Sequence, residues 1–140
     1  MDAAISAAIF ADGVANAIPF LQLQHARVIS QTYPDLVFDL PHRQTQHVCR
    51  FRLRLDDFDE RPASILVLDS DNQIAPHAAW PQSGLWNPTN GGTLCYPGVR
   101  EYYQHPSHCN ESWDAHRIAG HYTVGHYVEI IINKFFEAQF

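Results

Sequence analysis

The sequence predicts an α+β domain, and three runs of residues predict it. Near the N-terminus an alanine-rich stretch carries helix propensity. In the run from His47 to Leu55, Cys49, Phe51, Leu53 and Leu55 alternate strictly with arginines, the period of a strand with one buried face. From Thr123 to Phe136 apolar residues recur at the spacing of a helix packed on a core. With 140 residues, 46% of them hydrophobic, the chain is long enough to bury such a core as one domain spanning 1–140.

In chain order, Asp2 can cap a helix over 3–17, where Ala3, Ala4, Ala7, Ala8 and Ala11 supply propensity and Ile5, Ile9 and Val14 mark a packing face. Gly13 weakens this helix, and Pro19 stops it, because proline lacks a backbone donor and collides with the preceding turn. The apolar run from Leu36 to Leu40, bounded by Pro34 and Pro41, reads as a short strand. In the clearer strand that follows, Cys49, Phe51, Leu53 and Leu55 form a buried face and Arg50, Arg52 and Arg54 a cationic one. That arginine stripe is either a solvated face paired with nearby Asp or Glu, or a partner surface. After the acidic turn 56–60 and Pro62, Ile65-Leu66-Val67-Leu68 reads as a buried strand, so an antiparallel meander of three or more strands is expected. Val124, Tyr127, Val128, Ile131, Ile132 and Phe135 then mark a C-terminal core helix.

Between Asp69 and Tyr122 the periodicity stops. This long irregular segment holds Pro76, Pro81, Pro88, Pro97 and Pro106, all three tryptophans, Cys95, Cys109 and five of the nine histidines. Its aromatic content argues against disorder, and ordered irregular segments of this length usually carry a site. A net charge of −6 with only nine Lys plus Arg argues against a nucleic-acid partner. Three cysteines without a paired framework, and no basic-then-apolar leader, lead us to expect a reducing cytoplasm. No apolar run reaches the roughly 18 residues of a membrane span, so no membrane partner is expected.

Within the irregular segment Asn87 lies eight residues before Cys95, and Gly91-Gly92-Thr93-Leu94 leads into the cysteine. The order of helix, antiparallel meander, cysteine-bearing irregular segment and core helix, together with this spacing, resembles the ubiquitin-conjugating (UBC) fold family. In that family a His-Pro-Asn motif sets its asparagine eight residues before the cysteine, and a Gly-Ser-Ile-Cys-Leu type sequence carries the nucleophile. Here Leu85-Trp86-Asn87 stands in the first position and Gly92-Thr93-Leu94-Cys95-Tyr96 in the second. Trp113 is similar to the family's tryptophan before the core helix, and Arg61-Pro62-Ala63-Ser64-Ile65 to its approach to the last meander strand. Leu85 and Trp86 replace the His and Pro of the motif, extra residues lie between Pro62 and Asn87 and between Cys95 and Trp113, and the C-terminal helices of typical eukaryotic members are missing. This truncated outline resembles divergent bacterial members, which sit in operons with an activating enzyme, a ubiquitin-like modifier and a peptidase, and which are associated with defence against phage.

The resemblance implies a transferase without a cofactor. Cys95 would take the C-terminus of a ubiquitin-like modifier as a thioester from an activating enzyme and pass it to an amine of a protein substrate. Asn87 is the implied oxyanion donor, and losing such a donor costs roughly 2.7–4 kcal/mol in other acyl-transfer sites. The attacking amine must shed a proton, and Asp114, His105 and His108 are candidates to accept it or to orient the amine. The thiol must be reachable but needs no strong activation, since an unperturbed thiol near pKa ~8.5 is already partly thiolate at neutral pH.

Two alternatives stay open. His105, His108, Cys109, His116, His121 and His126 crowd the window 105–126, and thiolate with imidazole is the ligand set zinc prefers. A structural zinc site drawing on His105, His108, Cys109, His116 and His121 is therefore one alternative, although no Cys-x-x-Cys or His-Glu-x-x-His pair is present. The other is an inactive UBC-like binding module in which Cys95 is dispensable. Cys49 reads as core, the tryptophans read as packing, and Asn87-Pro88 and Gly91-Gly92 can also be plain turns.

Overall fold

The computed structural model describes residues 1–76, 79–81, 86–87, 93–108 and 110–138, with only the backbone at Asn87 and Thr93. The elements run α1 (Ala3–Leu23), β1 (Arg27–Thr32), β2 (Asp35–Pro41), β3 (Val48–Arg54), β4 (Ser64–Leu68), β5 (Trp86–Asn87), β6 (Thr93–Leu94), α2 (Arg100–Gln104), a 3₁₀ turn (Pro106–His108), α3 (Asp114–Ala119) and α4 (Val124–Glu137). The fold is α+β: an N-terminal helix, a four-stranded antiparallel meander and C-terminal helices.

Asp2 caps α1, its Oδ1 accepting from the Ala4 and Ile5 amides at 2.7 and 3.3 Å. Of the expected packing face, Val14 is buried and Ile9 packs against the core, but Ile5 departs from it. Ile5 is 56% exposed, and the buried stripe is Ser6, Phe10, Val14, Ala17 and Leu21, which keeps the three-to-four spacing of one helix face. Ser6 belongs there because its hydroxyl has partners: it donates to the Leu55 carbonyl at 3.4 Å and accepts from Tyr33 Oη at 2.9 Å. Pro19 does not end the helix either. Ala17 and Leu21, 2% and 0% exposed, bury the turns on both sides of it. Fully burying a leucine contributes about 1.5–3 kcal/mol, comparable with the roughly 3 kcal/mol that an interior proline costs.

By length and composition α1, with 21 residues and an 18-residue stretch of mean hydropathy 1.6, is apolar enough to cross a membrane. This corrects the expectation that no such run exists: alanines and isoleucines raise the mean across a stretch that Asp12 and Asn16 interrupt. In the folded chain one face of α1 packs on α4. Gly13 makes that approach possible, since a Cβ there would lie 2.3 Å from Val124 Cγ2. Its apparent weakness in a helix is a packing requirement.

The meander includes β1, which the sequence did not reveal, because an edge strand with a register shift between Val28 and Ser30 loses clean alternation. In the β2–β3 register Asp39 stands opposite Arg50 and Asp35 opposite Arg54. Each carboxylate meets a guanidinium fork, at 2.8 and 3.1 Å for Arg50 and at 2.7 and 2.8 Å for Arg54. The outer arginines of the stripe are thus cross-strand ion pairs, while Arg52 lies opposite Val37. On the other face Cys49, Phe51, Leu53 and Leu55 are buried as expected, and Phe51 contacts Phe135 of α4 and Trp86 at centroid distances of 5.3 and 5.6 Å.

The segment expected to be irregular carries short elements. Thr93 pairs with Leu66, and Trp86 and Asn87 pair with Leu94 and Thr93, so the sheet runs β1-β2-β3-β4-β6-β5. Thr123 caps α4 by accepting from the His126 amide at 3.1 Å.

Candidate active site

Cys95 follows directly on β6 and is half-buried. Asn87 pairs with Thr93 and Trp86 with Leu94, so Cys95 leaves the short β5–β6 ladder at the Trp86 end, and Asn87 stands at the other end, one pair away. Trp86, in the position where the resembled motif has proline, anchors β5: its indole is buried and donates Nε1–H to the Lys134 carbonyl of α4 at 3.3 Å.

Three tyrosine hydroxyls hold the turn after Cys95. Tyr122 donates to the Pro97 carbonyl at 2.6 Å, Tyr127 donates to the Gly98 carbonyl at 2.7 Å, and the Gly98 amide donates to Tyr103 Oη at 3.0 Å. Gly98 has φ +94°, and a Cβ there would fall 2.2 Å from the Tyr122 ring, so both conformation and space demand glycine. The chain then enters α2, which is seated on the start of β4. The Arg100 amide donates to the Ala63 carbonyl at 2.8 Å, its guanidinium donates to Pro62 O at 3.0 Å and Asp56 Oδ1 at 2.7 Å, and Glu101 Oε1 accepts from Ile65 N at 2.8 Å and Ser64 Oγ at 3.0 Å. This seating carries the next residues back over the cysteine.

There His108 stands between two groups. Its Nε2 lies 3.9 Å from Cys95 Sγ, and its Nδ1 lies 2.5 Å from Glu111 Oε2. The other Glu111 oxygen accepts from Tyr102 Oη at 2.8 Å, and the Tyr102 ring stacks on the imidazole with centroids 3.8 Å apart and planes 17° from parallel. Tyr102 and then His108 hold the Glu111 carboxyl below its ordinary value, so it is ionised and can only accept. The proton of a neutral imidazole therefore sits on Nδ1, leaving the Nε2 lone pair toward Cys95. Glu111 in turn pushes the Tyr102 hydroxyl up to about 12. Burial, then the charge of Glu111, raises the Cys95 thiol, which rests protonated beside a base. A thiol, an imidazole 3.9 Å from its sulfur and a carboxylate at the far ring nitrogen are the groups that assisted acyl transfer on cysteine uses.

Of the predicted residues, His108 is brought to Cys95. His105 is turned aside, its Nδ1 paired with Ser107 Oγ at 2.7 Å and its ring 5.9 Å from that of His108. Asp114 is exposed at the start of α3, with its amide donating to Ser112 Oγ at 3.2 Å. The oxyanion role of Asn87 rests on a side chain outside the described atoms. For the zinc alternative, His116 lies edge-on to Tyr122 at 5.4 Å, His121 is exposed and Cys109 lies outside the described residues. Among the described residues no three His, Cys, Asp or Glu are arranged to hold a metal ion. Trp113 packs, donating Nε1–H to the Asp59 carbonyl at 2.9 Å. Sequence reasoning missed Glu111 and Tyr102. The signal available for Glu111 was only its place three residues after His108. Compared with known proteins, the sequence matches no protein-family model and no curated protein.

Proposed function

We propose that the chain is a ubiquitin-conjugating-like transferase with a UBC-type fold, acting in the cytoplasm. It carries a ubiquitin-like modifier as a thioester on Cys95 and passes it to an amine of a protein substrate. The observation that supports this best is the half-buried Cys95 at the end of β6, with His108 Nε2 3.9 Å from its sulfur and the asparagine-bearing strand β5 alongside. In the loading step the sulfur attacks the thioester carbonyl offered by the activating enzyme. His108 takes the thiol proton, and the enzyme's own thiol leaves. In the transfer step an amine attacks the carbonyl on Cys95, the C–S bond breaks and the sulfur recovers a proton. Asn87 is assigned to the oxyanion of each tetrahedral intermediate.

The test is incubation with the cognate activating enzyme, modifier and ATP. We expect a heavier, thiol-sensitive species that is lost in Cys95→Ala and becomes thiol-resistant in Cys95→Ser. An adduct that persists in Cys95→Ala would remove the assignment.

A further inference from the structure

We propose that the Cys95 site also delivers its acyl group to a hydroxyl oxygen, that of water or of a serine or threonine side chain, with His108 as the base. The inference rests on the thioester reading above and extends it to a second class of acceptor. A free amine attacks a thioester by itself and can shed its extra proton afterwards. A hydroxyl is a much weaker nucleophile, and its proton must leave as the carbon–oxygen bond forms, which requires a base beside the carbonyl.

The cluster around Cys95 supplies that base. An acyl carbon bonded to Sγ, and an oxygen attacking it, both lie within reach of a nitrogen 3.9 Å from that sulfur. Glu111 Oε2, 2.5 Å from Nδ1, orients the ring and stabilises the imidazolium that forms. The Tyr102 hydroxyl fixes the other carboxylate oxygen at 2.8 Å, and the Tyr102 ring, stacked at 3.8 Å, fixes the plane of the imidazole. An amine-only site has no need of an imidazole held both at its far nitrogen and across its face.

The step balances without a co-reactant. The hydroxyl oxygen bonds to the thioester carbon while its proton passes to Nε2. The tetrahedral intermediate collapses with rupture of the C–S bond, and the sulfur takes that proton back. Thioester plus alcohol gives ester plus thiol, and water gives the free acid.

A synthetic peptide thioester ending in Gly-Gly can load the purified full chain by exchange, with no partner protein. The adduct is mapped to Cys95 by mass spectrometry, isolated, and followed in buffer alone, with N-acetylserinamide and with N-acetyllysinamide. We expect free acid in the first, a serine ester in the second and an amide in the third. In His108→Gln, discharge to water and to serine should slow by about 100-fold or more, with a much smaller loss toward lysine, and Glu111→Gln should show the same split less severely. An adduct on Cys95 that discharges only to lysine, or hydroxyl discharge unchanged in His108→Gln, would overturn the inference and leave the thioester reading standing. Failure to load Cys95 would overturn both.

Discussion

The Tyr127 hydroxyl donates to the Gly98 carbonyl at 2.7 Å and accepts from the Ala63 amide at 3.3 Å, so one oxygen ties the core helix α4 to the turn after Cys95 and to the approach to β4. The residue is fully buried. Tyr127→Phe leaves a buried carbonyl and a buried N–H without this partner, at a cost of about 1–3 kcal/mol. The urea midpoint should fall with an unchanged m-value. Loading of Cys95 should slow as well, because the turn that sets the sulfur is released.

Gly13→Ala tests the helix crossing. On propensity alone the change should stabilise α1 by about 1 kcal/mol. The new methyl, however, would sit 2.3 Å from Val124 Cγ2, and overpacking of this kind costs typically 1–3 kcal/mol. We expect net destabilisation in denaturant melts. Val124→Ala would not relieve the clash, because Val124 Cβ itself would lie 2.6 Å from the new methyl. In a Val124→Gly background the cost of Gly13→Ala should shrink, and a double-mutant cycle that shows no coupling would contradict the contact.

The reactivity of Cys95 should depend on pH in a definite direction. Burial and the negative charge of Glu111 both disfavour the thiolate, so iodoacetamide labelling of the Cys95 peptide should rise with pH along a curve displaced above that of an ordinary thiol. Glu111→Gln removes the charge and should move the curve to lower pH. Cys49, buried and pushed up to about 12, should label only on unfolding. Peptide mapping across a pH series distinguishes these sites.

Glu101→Gln tests the seating of α2. Burial raises the Glu101 carboxyl above its ordinary value, outweighing its hydrogen bonds and the nearby Arg100 and Arg52. A carboxyl raised on folding contributes stability that is fully present below the ordinary glutamate range and is lost as pH rises through the folded-state value. Glutamine does not ionise, and its oxygen can still accept from Ile65 N and Ser64 Oγ. The variant should match the parent in acid and exceed it at neutral pH, as read from denaturant midpoints. A variant weaker at neutral pH would show that the charge itself holds α2.

Legibility followed burial. Strands β2, β3 and β4 and helix α4 were readable to within a residue or two: β3 and α4 carry one apolar face whose period survives in the sequence, and β2 and β4 are short apolar runs buried on both faces. Edge strand β1 has no such face, and its burial is slight along its whole length. In α1 the face was legible in part: Val14 is buried and Ile9 packs against the core, but Ile5 is exposed, and the roles of Ser6 and Gly13 in the packing left no apolar signal. At the site, the spacing of Asn87 and Cys95 was visible because both lie on or beside the short antiparallel pair β5–β6, close together in the chain. His108 was one of three candidates that chemistry alone could not rank.

The sequence by itself determined that apolar-faced helices flank a run of short strands, and that a cysteine lies in the segment least constrained by that pattern. Both are local properties, written in the period of neighbouring residues. Which histidine meets that cysteine was decided only by the tertiary structure. Arg100 and Glu101 seat α2 on β4, three tyrosines fix the turn at Gly98, and together they bring His108, Glu111 and Tyr102 over Cys95. Contacts between residues far apart in the chain leave no period behind, so geometry alone records them.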